Sequence, residues 1–284
     1  EPVWPIVERP VPGSQTPGEW ISPTQPFPTK PAPFDVHGIS VDTLIDLTPE
    51  LREEAMEIAA PYVLGEIFTP PSIRGDGDGD RKGTLQLPGS VGGAEWGGAG
   101  FDPETGMLYV PSVTGTFAAD LTPGNPDRMN VRYTRGTRAF PLGPQGLPLL
   151  KPPYSRMTAI DLNTGDHIWM VANGETPDCI TDHPALAGVE IPMTGRPERG
   201  GVIVTKALVF AGEGSGLFAV PGRASGGPMF RAYDKLTGAI VSEFELPAHQ
   251  TGIPMTYMLN GKQYIVMAVG NRDHPAELVA LTVE

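Results

Sequence analysis

The chain has 284 residues, of which 39% are hydrophobic, and it carries a formal net charge of −13 at pH 7. Its length suffices for one large β domain or two small domains, and the hydrophobic fraction can supply a core. The acidic charge argues against nucleic acid and anionic membrane surfaces as partners, whereas a neutral sugar or alcohol would not be repelled. The 36 glycines and 33 prolines, without a collagen period, indicate many turns.

Residues 1–47 are predicted to start with a short apolar strand, Val3–Val7, and to continue as a Pro-rich extended segment to residue 34. Prolines at this density exclude a helix or a central strand. A plain linker is one interpretation. Because the segment carries aromatic residues such as Trp4 and Trp20, we expect it instead to lie packed across a surface.

Residues 48–60 carry the signals of one helix. Thr48 is a typical N-cap residue, Pro49 suits the first helical position, and Pro61 ends the pattern. The apolar residues that would share one face are Leu51, Ala55, Ile58 and Ala59. We expect this to be the only substantial helix.

The stretch Gly75–Asp80 alternates glycine with aspartate, as the first half of a calcium-binding loop does. The second half is lacking, because Leu87 stands where such a loop needs a glutamate at its twelfth position. We therefore predict a flexible acidic surface loop and no metal site.

A hairpin signal of the form Asp-x-x-Thr-Gly occurs three times, at Asp102–Gly106, Asp161–Gly165 and Asp234–Gly238. The aspartate can accept hydrogen bonds from the amides of the turn that it opens, and the glycine supplies the residue with positive φ that closes it. Copies of one hairpin at intervals of tens of residues, with almost no helix between them, indicate a β-propeller.

The strand and turn segments after residue 84 assemble into blades. In the first blade, Gly97–Val110 pairs with Met157–Val171 across a Pro- and Gly-rich insertion at Thr114–Pro153. In the second, Gly201–Ala211 pairs with Met229–Leu246. In the third, Met255–Leu259 pairs with Lys262–Val269 through a type I′ turn at Asn260-Gly261, and a last strand follows at Leu278–Val283. The predicted fold is all-β, a partial β-propeller with one short helix in an insertion. Residues 1–84 are assigned to an orphan strand, the Pro-rich segment and the helical insertion, and residues 85–284 to blades that form a single domain and an incomplete ring.

The repeat, with its aromatic residue after the turn, resembles the blade motif of the quinoprotein dehydrogenases, whose cofactor is pyrroloquinoline quinone (PQQ). The stretches Gly92–Trp96, Gly195–Gly212 and Pro254–Gly270 resemble the carboxy-terminal portion of this family, and its glucose-dehydrogenase-like branch most of all. The resemblance covers nearly the whole chain. It implies the carboxy-terminal blades of a ring of eight, of which this chain supplies less than half.

The resemblance implies three cofactor-binding residues: Glu95, Trp96 and Arg199. Glu95 stands where family members usually carry an Asn that contacts the quinone or borders its pocket, and a carboxylate there would repel an acidic cofactor unless it is protonated or paired with a cation. Arg199 could pair with a quinone carboxylate. The structural alternatives are a Trp96 packed between sheets beside an exposed Glu95, and a solvated Arg199.

No catalytic residue and no metal ligand can be assigned, because the family's catalytic Asp, its calcium ligands and its quinone-contacting Lys precede the matched segment. Trp169 is expected to dock one blade on the next. The five histidines show no ligand spacing, and Cys179 lies in a polar loop that does not favour a catalytic thiol.

Two functions follow as hypotheses. The chain is either the carboxy-terminal part of a PQQ- and Ca²⁺-dependent sugar or alcohol dehydrogenase, or a non-catalytic propeller-like binding or scaffold module. The partners expected are the missing amino-terminal propeller portion or a second copy of the chain, with no nucleic acid. The sequence shows neither a signal-peptide pattern nor an apolar run long enough to span a membrane. We interpret it as a mature fragment or downstream segment, for which the resemblance implies a periplasmic location.

Overall fold

The computed structural model describes residues 1–77, 79–90, 92–94, 97–137, 139–197, 200–214 and 226–282. The chain divides into two compact units. Unit 1 consists of Glu1–Thr29, Asp35–Gly92 and Gly115–Lys151, and unit 2 of Lys30–Phe34, Gly93–Thr114 and Pro152–Glu284. The division predicted between residues 84 and 85 falls inside unit 1, because the strand at these positions pairs with a strand of the later insertion.

The described residues contain eighteen strands and two α-helices. The strands are β1 (Ile6–Pro10), β2 (Thr24–Pro28), β3 (Tyr62–Val63), β4 (Ser72–Ile73), β5 (Gly83–Gln86), β6 (Gly100–Asp102), β7 (Met107–Val113), β8 (Phe117–Pro123), β9 (Tyr133–Arg135), β10 (Ser155–Asp161), β11 (Asp166–Ala172), β12 (Val202–Val204), β13 (Leu208–Gly212), β14 (Met229–Asp234), β15 (Ile240–Glu245), β16 (Met255–Leu259), β17 (Lys262–Val269) and β18 (Glu277–Thr282). The helices are α1 (Pro49–Ala59) and α2 (Asp178–Thr181).

Helix α1 confirms the helix predicted from the sequence. The Thr48 hydroxyl accepts a hydrogen bond from the amide of Leu51 at 3.2 Å, and proline occupies the first helical position. Leu51, Ala55 and Ala59 are buried, so the apolar face packs into unit 1. The second helix, α2, has only four residues.

Unit 1 contains two sheets. Strands β1 and β2 form an antiparallel pair, and a second sheet has the order β3-β5-β8-β4, with β9 on β8. The predicted strand Val3–Val7 therefore lies at Ile6–Pro10, and it is not an orphan, because the Pro-rich segment itself supplies its partner. A two-stranded ribbon tolerates prolines, whose missing N–H groups can face away from the ladder. Strands β3 with β5 and β4 with β8 pair in parallel over two residues each, which antiparallel patterning did not predict.

Unit 2 contains the three predicted blades. The first sheet has the order β6-β7-β10-β11, the second β12-β13-β14-β15, and the third β16-β17-β18, all antiparallel. Strand β7 pairs with β10 across the insertion, as the sequence predicted. The turn between β16 and β17 has positive φ at Asn260 (50°) and Gly261 (77°), as a type I′ turn requires.

The hydrophobic core of unit 2 lies between successive sheets. Tyr109 and Met157 of the first sheet pack with Val209 and Tyr233 of the second. A second cluster joins the second sheet to the third; its buried members are Phe210, Phe230, Ala232, Leu246, Ala248, Ile265, Met267 and Val269. Because side chains alternate along a strand, β14 serves both clusters, with Phe230 on one face and Tyr233 on the other. Sheets that bury both faces against neighbouring sheets are what a propeller requires.

The three repeated turns have the hydrogen bonds expected of them. The Asp234 carboxylate accepts from the amides of Leu236 and Thr237 at 3.0 and 2.9 Å, and Asp102 and Asp161 accept from amides of their own turns. The closing glycines have φ between 72° and 77°. These bonds lower the pKa of Asp234, with the hydroxyl and amide of Thr237 as the main cause.

Candidate functional site

Unit 2 has two ends of different character. One end, the hairpin rim, carries the turns Asp102–Gly106, Asp161–Gly165, Thr205–Ala207, Asp234–Gly238 and Asn260-Gly261. The other end, the loop rim, carries residues 92–94 and 97–99 before β6, residues 173–197, 200–201 and 246–254 between sheets, and residues 213–214 and 226–228 between β13 and β14. Since binding and catalytic residues are concentrated on loops that a rigid scaffold positions, the loop rim is the candidate functional site.

The three residues nominated from the sequence, Glu95, Trp96 and Arg199, lie outside the described residues. Their positions along the chain both precede the first strand of a sheet, since β6 begins at Gly100 and β12 at Val202. These two strands are neighbours, because a Cβ on Gly100 would meet the side chains of β12. The described residues that flank these positions therefore lead into neighbouring strands of two adjacent sheets.

The described residues beside these positions allow one test of whether a flat cofactor fits. Gly98 has a φ of +92°, and no atom of the described residues lies within 4 Å of where its Cβ would be. Gly200, by contrast, packs directly against the carbonyl oxygen of Gly212. Gly98 thus faces open space, whereas Gly200 is held by protein.

A buried group of charged side chains lies at the loop rim. Arg231 of β14 is 1% exposed, and its Nη1 and Nε donate to Glu213 Oε1 and Glu243 Oε1, each at 2.6 Å. Its Nη2 donates to Glu175 Oε1 at 3.4 Å. Arg196 Nε lies 3.4 Å from Glu213 Oε2. The two arginines are thus paired with carboxylates of this chain, as buried charges must be.

Asn173 connects this charged group to the first sheet. Its backbone N–H donates to Ser155 O at 3.0 Å, and its carbonyl accepts from the amide of Arg196 at 3.1 Å. Its side-chain amide donates to Gly212 O at 3.1 Å and accepts from the Tyr233 hydroxyl at 2.9 Å. Burial, the larger cause, raises the pKa of Tyr233, so its hydroxyl stays protonated and can donate this bond.

Sequence reasoning missed this network, although two signals were present. Arg231 interrupts the apolar strand β14 at a position that alternation places on a buried face, and Glu213 follows directly on the apolar strand β13. A charge at a buried strand position needs a partner of opposite sign. The partner could not be identified without knowing which strands are neighbours.

At the hairpin rim, the predicted docking role of Trp169 is confirmed. Its Nε1 donates to the carbonyl of Lys235 in the second sheet at 3.0 Å, and the Tyr109 hydroxyl donates to the same oxygen at 3.3 Å. The Lys235 ammonium pairs with Asp102, so the first repeated turn is tied to the third. Burial, followed by the nearby Asp102 and Asp234 charges, raises the pKa of Tyr109 to about 12.

The remaining candidates are metal-ligating side chains, the thiol of Cys179 and a cavity in unit 1. Among the described residues, no group of three or more His, Cys, Asp or Glu side chains is placed to hold a metal ion. Burial raises the pKa of Cys179, which favours the unreactive thiol. Unit 1 contains an open cavity of about 790 Å³ whose lining includes Tyr62, Asp76 and Arg81.

Comparison with known proteins agrees with this architecture. The family described as "PQQ: Glucose/ethanol/alcohol dehydrogenase, beta-propeller domain" matches residues 1–265. The chain is 30% identical to quinoprotein glucose dehydrogenase A of Acinetobacter calcoaceticus and 31% identical to quinoprotein glucose dehydrogenase of Escherichia coli, over 95% of this chain and 34% of each relative. It is 28% identical to the quinate/shikimate dehydrogenase (quinone) of Acinetobacter baylyi, over 100% of this chain and 36% of that protein.

The three sheets of unit 2 therefore define a β-propeller protein. The chain belongs to the PQQ-dependent dehydrogenase β-propeller family. It spans about a third of the length of these relatives, which are bacterial proteins. In the part of the chain that the structure describes, no helix has the length and apolar character needed to cross a membrane.

Proposed function

We propose that this chain forms the carboxy-terminal part of a PQQ-dependent dehydrogenase that oxidises a sugar or an alcohol. The observation that carries the proposal is the family match over residues 1–265, together with the three antiparallel sheets of unit 2. In such an enzyme the bound quinone accepts the two electrons removed from the substrate hydroxyl. The relatives named for glucose and for quinate or shikimate support a hydroxyl-bearing substrate without selecting one.

Glu95, Trp96 and Arg199 are the residues of this chain that we assign to the cofactor. Trp96 would supply an apolar surface beside the flat ring, and Arg199 would pair with one of its carboxylates. Glu95 argues against cofactor binding, because its negative charge repels the acidic cofactor unless a proton or a cation compensates it.

The catalytic carboxylate, the Ca²⁺ ligands and the lysine that contacts the quinone are proposed to lie in the preceding portion of the protein. The chain covers 34% of its glucose dehydrogenase relatives, which leaves length for that portion. That portion is the partner that we propose for the exposed strands of the third sheet, and the periplasm is the location that the family implies.

The test compares the isolated chain with the complete protein. The complete protein, loaded with PQQ and Ca²⁺, should reduce an electron-acceptor dye when glucose or an alcohol is added, and the isolated chain should not. Positioning alone cannot replace the missing base and cation. Dye reduction by the isolated chain above a blank would refute the assignment of the catalytic residues to the preceding portion.

One observation favours a second function, a non-catalytic propeller module. Glu95 replaces the Asn that the resemblance leads us to expect. Quinone binding to the complete protein, followed by fluorescence quenching, separates the two: an enzyme should bind PQQ, and Glu95→Asn should tighten that binding. If neither the natural protein nor the Glu95→Asn variant binds PQQ, the scaffold function is the better account.

A further inference from the structure

The cavity of unit 1, at about 790 Å³, has a size typical of small-molecule sites. The strands at both ends of the larger sheet, β3 and β4, contribute to its wall, and the segment after β1 contributes residues 11–13, 15 and 16. The wall has hydrogen bonds of its own: the Val11 amide donates to Pro23 O at 3.1 Å, and the Thr84 hydroxyl donates to Pro70 O at 2.8 Å. A ligand would therefore enter a site that is already ordered.

Two hydroxyl groups of this wall have unused bonding capacity. Thr16 is 7% exposed, and Ser72 on β4 is half-buried. The hydroxyl oxygens of both are shielded from solvent, and neither has a hydrogen-bond partner among the described residues. A buried hydroxyl without a partner is unfavourable, and a ligand that bonds to it removes that penalty. Both side chains can change rotamer to meet such a ligand, because this needs no movement of the backbone.

The other polar groups of the wall narrow the class of ligand. Glu66, Asp76 and Arg81 supply two negative charges and one positive charge, which does not favour an anion. Burial, the largest cause, raises the pKa of Tyr62 on β3, so its hydroxyl stays protonated and can donate. An apolar ligand would leave the two shielded hydroxyl groups unpaired. A ligand with hydroxyl groups of its own satisfies them, because each can both donate and accept.

We propose that this cavity binds a small uncharged molecule with several hydroxyl groups, a polyol or a sugar. Thr16, Tyr62 and Ser72 bond to its hydroxyl groups, while its C–H groups pack on the prolines of the wall, which are Pro10, Pro12, Pro70 and Pro71. The proposal does not rest on the proposed function, because it needs no cofactor and uses residues of unit 1 alone.

Hydrogen exchange of the complete protein, resolved by mass spectrometry, tests the proposal with glycerol and glucose as probes. A probe at roughly 100 mM that binds with a Kd of about 10 mM should slow amide exchange in residues 11–16 and 62–73 about tenfold. Exchange in the outer strand β15 of unit 2 should not change. A cosolute that is merely excluded from the protein surface would slow exchange in both regions.

Thr16→Val and Ser72→Ala each remove one of the two shielded hydroxyl groups. The matched control is Thr29→Val, because the Thr29 hydroxyl lies outside the cavity and donates to Pro5 O at 2.8 Å. Each cavity variant should reduce the slowing from about tenfold to about twofold, as a tenfold weaker Kd requires, and the control should keep it. Neither cavity variant should lower stability, since the hydroxyl that it removes has no partner in the described chain.

Three results would overturn the proposal. The first is that neither probe slows exchange in residues 11–16 and 62–73, as would happen if the preceding portion of the protein filled the cavity. The second is equal slowing in β15, which would indicate a general cosolute effect. The third is slowing in both cavity variants that matches the natural protein, because the hydroxyl groups of Thr16 and Ser72 would then contribute nothing to binding.

Discussion

Lys235 connects several partners at the hairpin rim. Its backbone carbonyl accepts the bonds from Trp169 and Tyr109, and its ammonium pairs with Asp102 and donates to the carbonyls of Thr205 and Lys206 at 3.2 and 3.0 Å. Lys235 itself is 7% exposed and Asp102 is 4% exposed. The hydrogen bond from Lys235, followed by that from Thr105, lowers the pKa of Asp102.

Replacing Lys235 by Met should destabilise the protein by about 3 kcal/mol at pH 7, because it leaves the Asp102 carboxylate buried without its cation. Breaking a buried ion pair usually costs about 3 to 5 kcal/mol. The lower end of this range applies here, since Asp102 keeps its bonds from Thr105 and the amide of Glu104. A carboxyl whose pKa is lowered by folding stabilises the protein above its unfolded pKa of about 4, and that stability is lost as the pH falls further. The difference between the two proteins should therefore shrink below pH about 4.

Urea unfolding at several pH values measures this difference. Lys206→Met is the control, because Lys206 is exposed on the adjacent turn Thr205–Ala207 and forms no ion pair among the described residues. A loss that is the same at pH 7 and pH 3.5 would show that packing of the lysine stem, and not its charge, accounts for the effect.

Lys235 could not have been identified from the sequence. It occupies one of the variable positions of the Asp-x-x-Thr-Gly turn, where a lysine is an ordinary exposed residue. The turn aspartate was correctly predicted, because its bonds are local and the pattern that reports them is local. Lys235 is buried only because the neighbouring sheet places Asp102 and Trp169 beside it, and no local pattern reports a contact of that kind.

At the scale of the elements, Gly238 of the third repeated turn meets two requirements at once: a positive φ and the close approach of a neighbouring sheet. Gly238 has a φ of +72°, and a Cβ there would lie 2.7 Å from Cε3 of Trp169. Gly261 has a similar φ of +77°, but nothing lies within 4 Å of the place where its Cβ would be. The two positions therefore share the backbone requirement and differ in the close approach of a neighbouring sheet.

Gly261→Ala should cost about 1 to 2 kcal/mol from backbone strain alone. Gly238→Ala should cost about 1 to 3 kcal/mol more, because the added methyl group must displace the docking tryptophan. Thermal unfolding of both variants, followed by tryptophan fluorescence, gives the comparison. Equal losses at the two positions would mean that the indole ring moves aside freely, and the docking role of Trp169 would then be energetically minor.

The elements that the sequence predicted best are those with turn signals at both ends. Strands β16 and β17 lie at the predicted residues because Asn260-Gly261 fixes the register between them. The predicted strand at 3–7 was displaced, since no turn residue marks its start, and the parallel pairs of unit 1 were missed because two paired residues leave no periodic pattern. The loop-rim network was missed for another reason, namely that its members come from three separate segments.

At the scale of the whole molecule, the third sheet differs from the first two. It has three strands among the described residues, whereas each of the others has four, and β18 lies at its edge. Leu278 on that strand is 75% exposed, and Met258 on β16 is 64% exposed. An exposed strand edge with apolar neighbours and no lysine is a site at which another strand can add.

We therefore expect that the 30.2 kDa chain does not persist as a soluble monomer by itself, and pairs either with the preceding portion of the protein or with a second copy. Light scattering at micromolar concentration measures the mass, and hydrogen exchange reports whether the amides of β18 are protected. Leu278→Lys should reduce self-association, because a lysine guards an edge strand. A monodisperse monomer with protected amides in β18 would contradict the expectation.

The separation of unit 2 into two rims also determines where the protein can be attached to a surface. Strand β10 has seven residues, which at about 3.3 Å per residue places the two rims roughly 20 Å apart. Leu236 projects from the third repeated turn and is 76% exposed. A cysteine introduced there and linked to an electrode would hold the hairpin rim against the metal, with the loop rim facing the solution. Electron transfer by a direct path would then be slow, while diffusing substrates and mediators would reach the loop rim without obstruction.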